Sequence, residues 1–324
     1  MPRVIEAPSE EQIELDELVE TLAAGHFDPD DEECFASFGP DLRRLGNNRT
    51  FLAAIVIEEL KRRCEGQVRL NQYGAQVILL HARPSNFLIR ANFWPATEDS
   101  VVRNSGTDPF FYGLAHDHNF SFLTVGYLGP GYWSDYYEYD PEKVVGVPGE
   151  KVDLRFVERS RLDQGKVMLY RAHRDVHLQL PPDAMSVSIN ILGVSHAQEF
   201  RDQYRFDVER SEIGSGLTQS TLEPLLALSA CYGGGNGRDM LEYYTENHPS
   251  DRIRFAAVRA LACGSGDFDE RLAVYERAAG SANRFVSGMA RHEADRLHAS
   301  RRWIKGGGSP VQPERRGGFD DEPA

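Results

Sequence analysis

Between about residues 67 and 208 the chain is a succession of short β-branched and aromatic runs, each ended by Gly, Pro, Asn, Asp or a polar residue. Gln76-Val77-Ile78-Leu79-Leu80 is the first clear one and ends at His81. Phe87-Leu88-Ile89-Arg90, Phe120-Ser121-Phe122-Leu123-Thr124-Val125, Val167-Met168-Leu169-Tyr170 and Val187-Ser188-Ile189-Asn190-Ile191 follow. Many short strands at this spacing, with turn signals between them, predict an antiparallel sandwich or barrel.

The flanks have a different texture. Residues 1 to 66 read as helical: Ser9-Glu10-Glu11-Gln12 has capping-box spacing, and Ile13, Leu15, Leu18, Val19 and Leu22 follow at helical intervals. A second helix is expected from Thr50 to Cys64, stopping before Gly66. After Gly214, apolar residues return to helical spacing in several segments up to Leu297. Leu241 and Tyr244 recur as Leu272 and Tyr275, and His248 to Leu261 resembles one unit of a HEAT-type repeat. A plain helical cap on the sheet fits the same residues. The expected organisation is an N-terminal helical region (1–66), a β-barrel region (67–208), an α-helical domain (215–304) and a disordered, Gly- and Pro-rich tail (305–324). The fold class is thus mainly β with flanking helices, and 324 residues against a prior of ~150 per domain also give about two domains.

Charge and cysteines narrow the partners. A net charge of −14 argues against nucleic acid or an anionic membrane, since both require surplus Lys and Arg. The longest apolar runs fall short of the ~20 residues that cross a bilayer. MPRVIEAPSEEQ has no apolar core or cleavage site of a secretory signal. Cys34, Cys64, Cys231 and Cys263 lack C-x-x-C spacing, so reduced thiols in a cytoplasmic protein are expected.

The chemistry concentrates at Gly113-Leu114-Ala115-His116-Asp117-His118, which enters the run Phe120 to Val125. On a strand, residues two apart share a face, so His116 and His118 can reach one metal. About sixty residues later comes Tyr170-Arg171-Ala172-His173-Arg174-Asp175-Val176-His177. Either histidine can be the third ligand. His177 is favoured by its apolar neighbours and the strand after it, which leaves His173 for a proton or a substrate contact. Tyr132, Trp133, Tyr136, Tyr137 and Tyr139 form an aromatic cluster that suits either sheet packing or a pocket mouth. Glu138 is a candidate fourth ligand or general base, or a solvated strand carboxylate.

These motifs resemble the cupin superfamily, in particular its cysteine dioxygenase-like branch, in which an H-x-H and a later histidine form a three-histidine iron site. The resemblance covers about residues 75 to 195 and rests on His116-Asp117-His118, His177 and the run Phe87 to Asn92. It implies a cupin-like β-barrel, Fe(II) at His116, His118 and His177, and Arg90 as the arginine that grips a substrate carboxylate. The departures are definite. Leu123 stands where some relatives have a crosslinked cysteine, no His and Tyr pair follows His177, and the usual cupin glutamate is replaced by Phe122 and Leu123. They agree with three histidines and weaken cysteine as a substrate. The expected activity is a non-haem Fe(II) oxygenase acting on a small molecule or a peptide. Zn, Mn or Ni with isomerase or hydrolase chemistry remains open, as does a non-enzymatic module whose C-terminal helices bind a protein.

Overall fold

The computed structural model describes residues 2–305 except 72, 75, 83, 84, 196, 197 and 199. The expected disordered tail falls almost wholly outside them. The chain divides into two units, residues 1–221 and 222–324.

Among the described residues the first unit has twelve strands: β1 (Arg3–Ile5), β2 (Val77–His81), β3 (Phe87–Trp94), β4 (Ala115–His116), β5 (Phe122–Leu128), β6 (Trp133–Glu138), β7 (Arg155–Arg161), β8 (Val167–Tyr170), β9 (Asp175–Gln179), β10 (Ser186–Gly193), β11 (Tyr204–Asp207) and β12 (Glu212–Gly216). They form two six-stranded antiparallel sheets, ordered β1-β8-β5-β10-β3-β2 and β12-β11-β4-β9-β6-β7. Six α-helices among the described residues accompany them: α1 (Leu15–Ala24), α2 (Glu32–Ser37), α3 (Gly39–Asn47), α4 (Phe51–Lys61), α5 (Glu65–Leu70) and α6 (Ser100–Ser105). More described residues lie in helices than in strands, so the chain is mixed rather than mainly β.

The first sheet is covered on both faces, and its sequence alternates accordingly. In β3, β5, β8 and β10 the odd-numbered side chains, among them Ile89, Ala91, Leu123, Val125, Leu169, Ile189 and Ile191, join Leu18, Leu22, Phe35, Leu42 and Leu45 of α1 to α3 in one core. The even-numbered Trp94, Phe122, Met168, Tyr170 and Leu192 join Tyr132 and Tyr136 from beside and within the second sheet. Each of these aliphatic side chains contributes about 1.5–3 kcal/mol by leaving water. Gly46 lets α3 sit directly on β5, since a Cβ there would stand 3.2 Å from Val125.

The N-terminal helices differ in one respect from expectation. The capping box belongs to Glu14 and Glu17 at the start of α1, not to Ser9 and Gln12. Ser9 instead accepts from the Glu11 backbone N–H, a turn ahead of the helix. The short β1 pairs with β8 and was not visible as a strand.

The second unit has five helices among the described residues: α7 (Leu222–Tyr232), α8 (Gly234–Asn247), α9 (Asp251–Cys263), α10 (Phe268–Ala278) and α11 (Arg284–Lys305). Leu226, Leu241, Ile253, Ala257 and Ala260 form its core. No described helix is long and apolar enough to cross a membrane. All four cysteines are free thiols.

Candidate metal centre

His116, His118 and His177 converge. One ring nitrogen of each lies within 4.8 Å of the others, with His177 Nε2 standing 3.0 Å from His118 Nε2 and 3.2 Å from His116 Nε2. Strand pairing explains half of this. His116 in β4 lies directly opposite His177 in β9, and Tyr136 in β6 flanks His177 on its other side. The other half departs from the expected single strand. The chain leaves β4 at Asp117 and crosses to the first sheet, where β5 begins at Phe122. His118 lies on the crossing, its ring centroid 5.0 Å from both Phe120 and Phe122.

Asp117 fixes that crossing. Its carboxylate accepts from the Tyr139 hydroxyl at 2.7 Å and from the Tyr204 backbone N–H at 2.6 Å, and it is fully buried. Burial pushes its pKa up to about 6 against those hydrogen bonds. With Asp117 anchored on one side, the histidines before and after it are aimed to the other.

The donor chemistry suits a metal ion. His116 Nδ1 lies 2.9 Å from the Leu114 carbonyl, so a neutral His116 donates there and keeps a lone pair on Nε2. Three nitrogen lone pairs facing one another need a cation or shared protons between them. Burial works against protons: it lowers the pKa of His116 to about 4 and holds those of His118 and His177 well below the usual 6.5. For metal–nitrogen bonds of about 2.0–2.1 Å, neighbouring ligands lie roughly 2.9–3.4 Å apart. The two distances at His177 fall in that range.

The triad forms part of the wall of a cavity of about 240 Å³. Arg90 and Asn92 of β3, with Asn190 of β10, face it from the first sheet, and Trp94, Phe122 and Tyr132 supply apolar wall. The Arg90 guanidinium stacks 4.6 Å from the Tyr73 ring centroid, and its Nε is buried without a protein partner. Tyr132 is buried, and burial raises its hydroxyl pKa, keeping it an O–H donor.

His173 lies elsewhere. Its backbone N–H donates to the His118 carbonyl at 2.8 Å, but its ring lines a separate depression with Asp30, Asn119 and Arg201. The third histidine of the cluster is therefore His177, and His173 does not line the cavity. Glu138 lies outside the cluster as well and pairs with Arg155 and Arg171. The aromatic cluster divides between the two expectations: Tyr132 lines the cavity, while Tyr136 packs beneath it and shares a 2.9 Å hydrogen bond with Tyr170.

His173 should leave a pH signature. Burial, then the Arg201 charge, lower its pKa to about 4 from 6.5. Between those values the unfolded chain binds more protons than the folded one, so stability falls as pH drops from 6.5 towards 4. His173→Asn tolerates the residue's φ of +56° and removes the titration. Urea denaturation at pH 7 and pH 4.5 should show the variant losing less stability on acidification, by on the order of 2 kcal/mol.

No described protein family matches this sequence, and no curated protein does. Among solved structures, a DMSP lyase shows a TM-score of 0.24 at 10% identity, covering 39% of this chain and 50% of that one. A hydroquinone 1,2-dioxygenase complexed with Cd2+ and 4-hydroxybenzonitrile shows 0.25 at 11%, covering 40% and 71%. Hazelnut (Corylus avellana) vicilin shows 0.21 at 10%, covering 43% and 34%. The chain spans half the length of the DMSP lyase it matches. Scores this low assign neither fold nor activity.

Proposed function

We propose that the first unit is a cupin-type metal enzyme, a non-haem Fe(II) oxygenase acting on a small carboxylate. One observation carries the reading: the Nε2 atoms of His116, His118 and His177 converge at the wall of a cavity whose opposite wall holds Arg90. Ferrous iron held by three neutral imidazoles would remain positively charged and bring one-electron chemistry towards dioxygen. The chain's own residues do the rest. Arg90 has a buried Nε with no protein partner, and a guanidinium can grip a carboxylate through charge-assisted hydrogen bonds. Trp94, Phe122 and Tyr132 exclude water, which strengthens that ion pair. The cavity is smaller than the ~300 Å³ at which drug-sized pockets begin, which favours a small molecule over a peptide.

Oxygen uptake by protein loaded anaerobically with one ferrous equivalent, over a panel of small carboxylates, tests the reading. Uptake should need iron and stop on chelation. Arg90→Gln should raise KM for the carboxylate about 10- to 100-fold with a smaller change in kcat, as loss of a charge-assisted pair predicts. Metal-supported turnover without oxygen uptake would instead favour a non-redox cupin enzyme, and failure to take up any divalent metal would sink both.

A further inference from the structure

The same cavity has a second recognition element, beyond the triad and Arg90. Among the described lining residues Arg90 is the one formal charge; no carboxylate and no lysine lines the space. Amides take their place. Asn92 lies two residues beyond Arg90 on the same face of β3, one pleat repeat or about 7 Å along the strand. Gln76 reaches the cavity beside it: Asn92 pairs in register with Val77, and the Phe93 N–H donates to the Gln76 carbonyl at 2.8 Å. Asn92 Oδ1 and Gln76 Oε1 are both buried with no hydrogen-bond partner in the protein.

A buried, unsatisfied amide oxygen costs about 1–3 kcal/mol, so a ligand that donates to the pair gains by satisfying it. An amide offers both a donor and an acceptor, and its natural complement is a group that does the same. A ligand ammonium would find no counter-charge among the lining residues, and a second carboxylate held at the amides, rather than at a metal on the histidines, would find no cation there; either would be a buried unpaired charge. We infer that the cavity selects a small monoanion carrying a neutral hydroxyl or carboxamide about one pleat from its anionic end, with Arg90 holding the anion and Asn92 and Gln76 reading the neutral group. This rests on the cavity being the substrate site of the proposed enzyme and names the class of substrate it would take.

The test uses equilibrium binding and not turnover. Full-length protein, with and without one equivalent of Zn2+, is titrated calorimetrically with five probes of matched length. Butyrate has no second group, 4-hydroxybutyrate and succinamate have neutral ones, 4-aminobutyrate has a cation and succinate a second anion. The hydroxyl and carboxamide probes should bind about tenfold or more tightly than the other three, and Asn92→Leu should erase that preference while leaving butyrate binding within about threefold. Gln76→Ala, outside the strands, serves if Asn92→Leu fails to fold and should reduce the preference in the same direction. Equal or tighter binding of 4-aminobutyrate, or of succinate to the zinc-free protein, a preference that survives both substitutions, or no binding of any probe would overturn the inference. Zinc uptake measured on the same samples separates the two readings. Metal uptake without probe selectivity defeats the selectivity alone, and selectivity without uptake defeats the metal enzyme alone.

Discussion

His177→Ala should purify with almost no bound metal where the unaltered protein, reconstituted and desalted, carries one equivalent. Of the three clustered histidines His177 is the central one, within 3.2 Å of both other Nε2 atoms. Removing it leaves His116 and His118 at the edges of the cluster with only each other as a chelating pair. Loss of a partner outside the coordination shell typically costs 10- to 100-fold in metal affinity; loss of a ligand should exceed that, on the order of 1,000-fold. His173→Asn, which keeps the residue's left-handed backbone, is the matched control, because the His173 ring lines a different depression, and its metal content should not change. Elemental analysis of both variants, with circular dichroism to confirm folding, decides the matter. Full occupancy in His177→Ala, or equal loss in the two variants, would remove the three-histidine centre.

The second large effect is on stability. Gly131→Ala should destabilise the fold by at least about 3 kcal/mol, whereas Gly149→Ala should cost about 1 kcal/mol. The two glycines have nearly the same backbone strain, with φ of +81° and +83°. They differ in surroundings. A Cβ at Gly131 would stand 2.0 Å from the Leu162 carbonyl oxygen, while one at Gly149 would meet nothing within 4 Å. That carbonyl belongs to backbone held in place, since the Leu162 N–H donates to the Tyr132 carbonyl at 3.1 Å. Gly131 lies where the chain passes from β5 in one sheet to β6 in the other, and its own N–H donates to Ser186 Oγ at 3.1 Å. Urea midpoints of both variants, measured together, separate the steric cost from the conformational one. Equal midpoints would show that the turn relaxes.

The histidine cluster was legible because its signals are local: an H-x-H, and a histidine followed by an apolar strand. What joins them was not. β4 is two residues long, too short for any period to register, so the pairing of His116 with His177 and the crossing at His118 came only with the fold. β1 was missed for the same reason, as a three-residue strand held by β8. The helix start was misplaced because Ser9 and Gln12 match a capping spacing that Glu14 and Glu17 actually use. Family resemblance singles out Arg90, which lines the cavity, but not Asn92 and Gln76, which line it too. A signal for Asn92 existed: Ile89-Arg90-Ala91-Asn92 and Val187-Ser188-Ile189-Asn190 each alternate apolar with polar residues. In a strand with one wet face that pattern means nothing special. It becomes informative only once both faces are known to be covered, because polar residues on a covered face must be answering something inside.

The alternation within the first sheet also separates two kinds of mutational risk. Odd positions of β3, β5 and β10 pack against the helices and set stability; even positions face the second sheet and, in β3, line the cavity. Substitution at Asn92 or Asn190 can therefore change what the cavity accepts while leaving the helix-packed core untouched, so new specificities are open to this scaffold at small cost to folding. A single-residue deletion within β3 has the opposite character. It would exchange the two faces at once, turning Arg90 into the helix core and Ile89 into the cavity, and would lose ligand recognition and stability together.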